Sequence, residues 1–189
     1  AASDVYKRQV MGSTNSGDCI LMARNCHKSV YHAVFLNELR PVYIYPEFDE
    51  TMELNMAVSP EKIERLLEEH KEVQAVVLTS PTYDGVLSDI ERISEIVHQK
   101  KIPLIVDEAH GAHFIASNLF PQTAVKYADA VCQSAHKTLN AMNGSSYLHI
   151  NGDLIDRKRL EKSLYMFQSS SPSYLSLIHI SEPTRLALI

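Results

Sequence analysis

Tryptophan is absent from this chain, and its 189 residues hold only three cysteines and six glycines. The cysteines, Cys19, Cys26 and Cys132, are odd in number and lack CxxC spacing, which excludes a disulfide framework and points to reduced thiols in a cytoplasmic setting. No apolar run approaches the length of a membrane span, and no basic, apolar and small-residue signal segment opens the chain. Basic residues are outnumbered, 18 Lys and Arg against 23 Asp and Glu for a net charge of −5. They are scattered or paired with acids, which excludes a phosphate-tracking surface and so a nucleic-acid partner. Internal repeats, linkers and low-complexity tracts are missing too. What is present is 45% apolar residues, enough in a chain of this length to bury one core.

The two ends stand apart. "DVYKRQ" (Asp4 to Gln9) can be written GAT GTG TAT AAG AGA CAG, and its reverse complement, CTG TCT CTT ATA CAC ATC, encodes "LSLIHI" (Leu175 to Ile180). Folding gives no reason for two segments to be antisense translations of each other. The pair resembles the inverted mosaic end of transposon-based sequencing libraries, with adapter-like "AAS" and "SEPTR" beside it. The expectation is that residues 1–9 and 175–189 are artefacts that do not pack, and that 10–174 is an interior slice of a longer protein.

Within 10–174, apolar runs alternate with helical patterns, which predicts βαβ units and a mostly parallel sheet in a three-layer α/β/α fold. Strands are predicted at Cys19 to Arg24, Val42 to Tyr45, Ala75 to Thr79, Leu104 to Asp107, Ala130 to Gln133 and Tyr147 to Ile150. Ser59-Pro60 opens one helix as N-cap and first-turn proline, with Ile63, Leu66 and Leu67 as its apolar stripe. Ser88 and Glu91 predict a capping box before a second, striped by Ile90, Ile93, Ile96 and Val97. Further helices are expected after His27 and after Asp156.

In such a sheet, ligands sit at the carboxyl ends of the strands. "RNCHKS", "TSPTYDG", "DEAHGAH" and "SAHK" all fall there. DEAH is also a helicase motif, but its partner, a GxxxxGK[ST] phosphate loop, has no match in the chain. A metal site from Asp107, His110 and His113 lacks a fourth ligand. Pyridoxal 5'-phosphate uses all four clusters. Lys137 is then the Schiff-base lysine, with Ser134 and His136 beside it to donate to phosphate. Asp107 ends an adjacent apolar strand and faces the pyridine nitrogen, whose proton makes the ring an electron sink. Strand alternation turns Glu108 to the opposite face as a structural residue. His27 is able to stack on the ring or simply to start a helix. His110 and His113 are expected to be turn residues satisfied by backbone, and Thr82 and Tyr83 to build a proline-led turn.

"RNCHKSVYHA", "VVLTSPTYDGVLSDI", "PLIVDEAHGAHF", "SAHKTL" and "QSSSPSYL", in that order, resemble the major domain of the bacterial ornithine/lysine/arginine decarboxylases, fold-type I pyridoxal phosphate enzymes. The resemblance covers nearly all of 10–174. It implies catalytic roles for Lys137, Asp107 and His27, with Ser134 and His136 at the phosphate, Ala109 under the ring, and Ser169 reaching a neighbouring subunit's phosphate. It also implies a small-molecule basic amino acid as substrate, a homodimer or larger homo-oligomer, and no membrane partner. Two departures stand out. The family's phosphate loop and following helix precede "RNCHKS", whereas "GSTNSGD" lies close before it and reads as a helix-to-strand turn. Asn140 and Asn143-Gly144 replace a Pro and a Thr-Gln pair behind the lysine. An aminotransferase or lyase on the same fold, or a silent fragment or regulatory paralogue, remain alternatives.

Overall fold

The computed structural model describes residues 2–167. Ser169 and the segment 175–189 lie outside the described residues. Helix α1 (Ala2–Ser13) leads into β1 (Cys19–Ala23), α2 (Lys28–Leu36) and β2 (Arg40–Ile44). A two-stranded ribbon, β3 (Phe48–Asp49) and β4 (Leu54–Asn55), precedes α3 (Pro60–Glu69), β5 (Val73–Thr79), α4 (Ile90–Gln99) and β6 (Leu104–Asp107). After two short 3-10 turns, Ala112–Ala116 and Ala124–Lys126, come β7 (Ala130–Gln133), the one-turn helix α5 (Ala135–Thr138), β8 (Tyr147–Ile150) and α6 (Arg157–Phe167).

The main sheet runs β2-β1-β5-β6-β7-β8. Every pairing is parallel except β7 with β8. All residues of β1, β6 and β7 are buried, which is why they read as continuous apolar runs: helices cover both faces of the sheet. Three strands have the predicted bounds and the others shift by one or two residues. β2 starts earlier than expected because Pro41, opposite Ile20, is tolerated on an edge strand whose outer side has no ladder to break.

Helix α3 begins as its sequence predicts, with Ser59 Oγ accepting from the Lys62 amide at 3.3 Å. The predicted capping box at Ser88 is corrected. Helix α4 starts one residue later, and Asp89 Oδ1 accepts from the Arg92 amide at 3.0 Å. Ser88 Oγ instead accepts from the Val58 amide at 3.1 Å, joining two loops. A tertiary donor has taken the hydroxyl that local spacing assigned to the helix.

The expectation that residues 1–9 do not pack is also corrected. Val5, Tyr6, Arg8 and Gln9 are all buried in α1. Val5, Tyr6, Gln9 and Val10 share one helical face, and packing responds to that face whatever the origin of its codons. Gly12 allows the contact with α6: a Cβ there would lie 2.5 Å from Leu160 Cδ1 and 2.9 Å from Leu160 Cα. Arg159 of α6 then closes the end of α1, donating to the Thr14 carbonyl and to Asn15 Oδ1. The "GSTNSGD" segment is the predicted helix-to-strand turn. Among the described residues, no helix is long and apolar enough to cross a membrane.

Candidate active site

The carboxyl ends of β1, β5, β6 and β7 lie side by side, and strand order reverses at β1, with β2 on one side and β5 on the other. Open α/β sheets bind ligands at such a reversal.

Asp107 ends β6 between Thr79 of β5 and Cys132 of β7, and is 4% exposed. Its Oδ1 accepts from the Ala109 amide at 3.0 Å. Burial pushes the carboxyl up to about 7, although the Ala109 amide, the Lys137 charge and the Tyr6 hydroxyl all favour ionisation. A carboxylate so poorly compensated favours a cationic N–H as its partner. The thiols of Cys26 and Cys132 beside it are raised by burial, Cys26 to about 12, and stay protonated.

Tyr6 roofs this carboxylate. Its hydroxyl is 2.6 Å from Ser134 Oγ, its ring centroid lies 6.1 Å from that of His27, and it packs with Val5, Ala109 and Cys132 in a small apolar cluster. Burial, then the Asp107 charge, raises the phenol far above its usual range, so it stays protonated. Ser134 is fully buried beneath it. His136 is turned aside, with Nδ1 donating to the Ser145 carbonyl at 2.9 Å.

His27 caps α2. Its Nδ1 accepts from the Ser29 amide at 3.2 Å and faces Ser29 Oγ at 2.9 Å. An Nδ1 that accepts a backbone N–H carries no proton, so the neutral ring bears its hydrogen on Nε2. Burial, then the Lys137 charge, lowers its pKa and keeps it neutral. His27 is thus the helix-start residue of α2.

Lys137 rides on α5, and its Nζ lies 3.1 Å from His110 Nε2. Tyr83 meets the other side of His110 edge-on, centroids 5.6 Å apart. His110, expected to be satisfied by backbone, is thus corrected to a side-chain partner of the lysine. His113 packs between the rings of Phe114 and Phe120, at 4.8 Å from each. Asp107, His110 and His113 point to three different neighbourhoods. Among the described residues no group of three or more His, Cys, Asp or Glu is gathered to hold a metal ion. Thr82 builds the predicted turn, its Oγ1 accepting from the Val86 amide at 3.1 Å.

Glu108 faces away from Asp107, as alternation requires. It is 1% exposed and accepts from Thr123 Oγ1, the Ala124 amide and Gln133 Nε2 at 2.6 to 2.7 Å. It clamps the end of β6 to β7 and to the 3-10 turn. Tyr6 and His110 are the residues that sequence reasoning missed at this site. Tyr6 was set aside with the adapter-like end, and the approach of His110 to Lys137 joins positions 27 residues apart.

A family profile described as "Orn/Lys/Arg decarboxylase, major domain" matches residues 2–181. The uncharacterized protein YaaO of Bacillus subtilis (strain 168) is 47% identical over 167 residues, covering 87% of this chain and 35% of that protein. An arginine decarboxylase of Bacillus cereus is 32% identical over 176 residues, 93% of this chain and 38% of the relative. The chain therefore spans little more than a third of the length of these relatives. Among solved structures, the lysine decarboxylase LdcF of Francisella novicida superposes with a TM-score of 0.78 at 27% identity, over 93% of this chain and 26% of that one. Profile, relatives and fold agree: this chain belongs to the Orn/Lys/Arg decarboxylase family, its match lying in the major domain.

Proposed function

We propose that this chain is the cofactor-holding part of a cytoplasmic, homo-oligomeric decarboxylase that acts on a basic amino acid, lysine, ornithine or arginine, with pyridoxal 5'-phosphate. The observation that carries the reading is Asp107, a buried and undercompensated carboxylate at a strand end whose neighbours include the Lys137 ammonium. These residues fit the ring end of the cofactor once the Tyr6 side chain, which covers Asp107 and Ala109, is drawn aside, since a protonated pyridine nitrogen would be the cationic N–H that Asp107 lacks. The phosphate end has fewer groups: Ser134 is engaged by Tyr6 and His136 by Ser145.

When bound, pyridoxal phosphate supplies a sink for the electron pair left as the substrate's carboxylate departs. Asp107 holds a proton on the pyridine nitrogen, because an ionised carboxylate in this dry site is far better off beside a cation. Lys137 would hold the cofactor through Nζ, the amine this site offers for a Schiff base. His27, neutral and held by Ser29, would cover the ring without placing a second positive charge near it. Ala109 would keep the opposite side small; Ser134 and His136 would reach the phosphate only by leaving Tyr6 and Ser145, and Ser169 would serve the phosphate of a neighbouring subunit.

Borohydride reduction of the full-length protein with pyridoxal phosphate tests this. The cofactor is expected to be fixed on the peptide "SAHKTLNAMNG" in stoichiometric amount. Labelling mainly at Lys28, Lys100 or Lys101, or ATP hydrolysis with indifference to pyridoxal phosphate, overturns the assignment.

A further inference from the structure

Lys137 and His110 differ in how firmly they are held. Lys137 extends from a helix of four residues and is exposed, so its four-carbon stem has rotamer freedom to lose before Nζ settles anywhere. His110 stands on a braced loop. Glu108, two residues before it, is gripped by Thr123, Ala124 and Gln133. Gly111, the next residue, is packed so closely that a Cβ would lie 2.6 Å from Glu108 Cγ and 2.9 Å from Phe114 Cε2. The Tyr83 ring meets His110 edge-on, with centroids 5.6 Å apart.

We propose that His110 is a positioning residue for Lys137: its imidazole Nε2 accepts a hydrogen bond from Nζ and holds the free amine at the site. The proposal rests on the pyridoxal phosphate reading and names a task that the reading leaves open, namely what keeps the lysine aimed whenever it is not bonded to the cofactor. No proton need leave Nζ in this role. The imidazole must be neutral with its hydrogen on Nδ1, because a protonated ring offers no acceptor and repels the ammonium. Burial, then the Lys137 charge, lowers the His110 pKa and secures that state at neutral pH. The titratable groups about it are Lys137 from α5, Tyr83 from the turn after β5, and Asp107 and Glu108 from its own strand end. His27, at the start of α2, shares the Lys137 field.

The test is the rate at which the cofactor-stripped full-length protein regains its visible absorption on mixing with pyridoxal phosphate, followed from about pH 5 to 8, with the attachment site confirmed by borohydride trapping. Wild type is expected to show an acid limb below the ordinary histidine range, about pH 6.5. His110→Gln keeps an acceptor that does not titrate, so attachment at neutral pH stays within about threefold while the limb flattens. His110→Leu slows attachment by about tenfold, the worth of one hydrogen bond. A His110→Gln profile identical to wild type, or His110→Leu attaching at the wild-type rate, overturns the proposal. A wild-type protein that never attaches the cofactor at Lys137 sinks the pyridoxal phosphate reading itself, a different outcome from the first two.

Discussion

Asp107 shows how one side chain can be poor for stability and suited to chemistry. Its carboxyl titrates near 7 in the fold and at 3.8 when unfolded. The folded pKa is the higher one, so the contribution to stability is present below the unfolded value and is lost as pH rises through about 7. At 1.36 kcal/mol per pH unit the loss in the cofactor-free chain is on the order of 4 kcal/mol, a large part of the roughly 5 to 15 kcal/mol that holds a domain folded. Asp107→Asn is therefore expected to match wild type in urea unfolding near pH 4 and to exceed it at pH 8. In the full-length protein the same change should cut turnover far more than cofactor retention, because an amide keeps the shape without holding a proton on the ring. Equal turnover at saturating cofactor would remove Asp107 from its role, and an unaltered pH dependence of stability would contradict its burial.

Helix α4 depends on a cap one residue away from where the local pattern places it, and the loop after β6 on the close packing of Gly111. Asp89→Ala removes the cap of α4 and is expected to cost about 1 kcal/mol. Ser88→Ala strands the Val58 amide of another loop, and the loss should appear as faster hydrogen exchange at Val58 while the amides of α4 are unaffected. If α4 alone responds to Ser88→Ala, the capping box is restored. Gly111→Ala drives a Cβ into Glu108 and Phe114. Two contacts under 3 Å have no soft neighbour to yield, so the variant should lose roughly 1 to 3 kcal/mol, the usual cost of overpacking. Denaturant midpoints at constant slope measure each change.

On the scale of the molecule, α1 roofs the site and seals the seam between α2 and α6. A chain starting at Val10 gives up the burial of Val5 and Tyr6, side chains worth about 1.5 to 3 kcal/mol each when fully covered, and uncovers Asp107 and Ser134. It is expected to unfold at lower denaturant than the chain starting at Ala1, with the Asp107 carboxyl moving back toward its ordinary range as water reaches it. Equal midpoints for the two chains would show that residues 1–9 contribute nothing, in line with their antisense relation to 175–180.

The sequence by itself determined what periodicity and local chemistry encode. Continuous apolar runs marked the parallel strands, because a strand covered on both faces has no polar side to show. Ser59-Pro60 marked the start of α3, because its cap bond spans only three residues. Asp107 and Lys137 were legible as candidates because one ends such a strand and the other lies in the first turn after one. The tertiary structure alone decided the rest, for a shared reason: each remaining feature depends on partners far apart in the chain. Tyr6 reaches Ser134 across 128 positions, and Ser88 serves Val58 across 30. His110 meets Lys137 only because β6 and β7 lie side by side, which turns two separate loops into one face. Whether a histidine is satisfied by its own turn or by a lysine two elements away is settled by sheet order, and no local pattern carries that order.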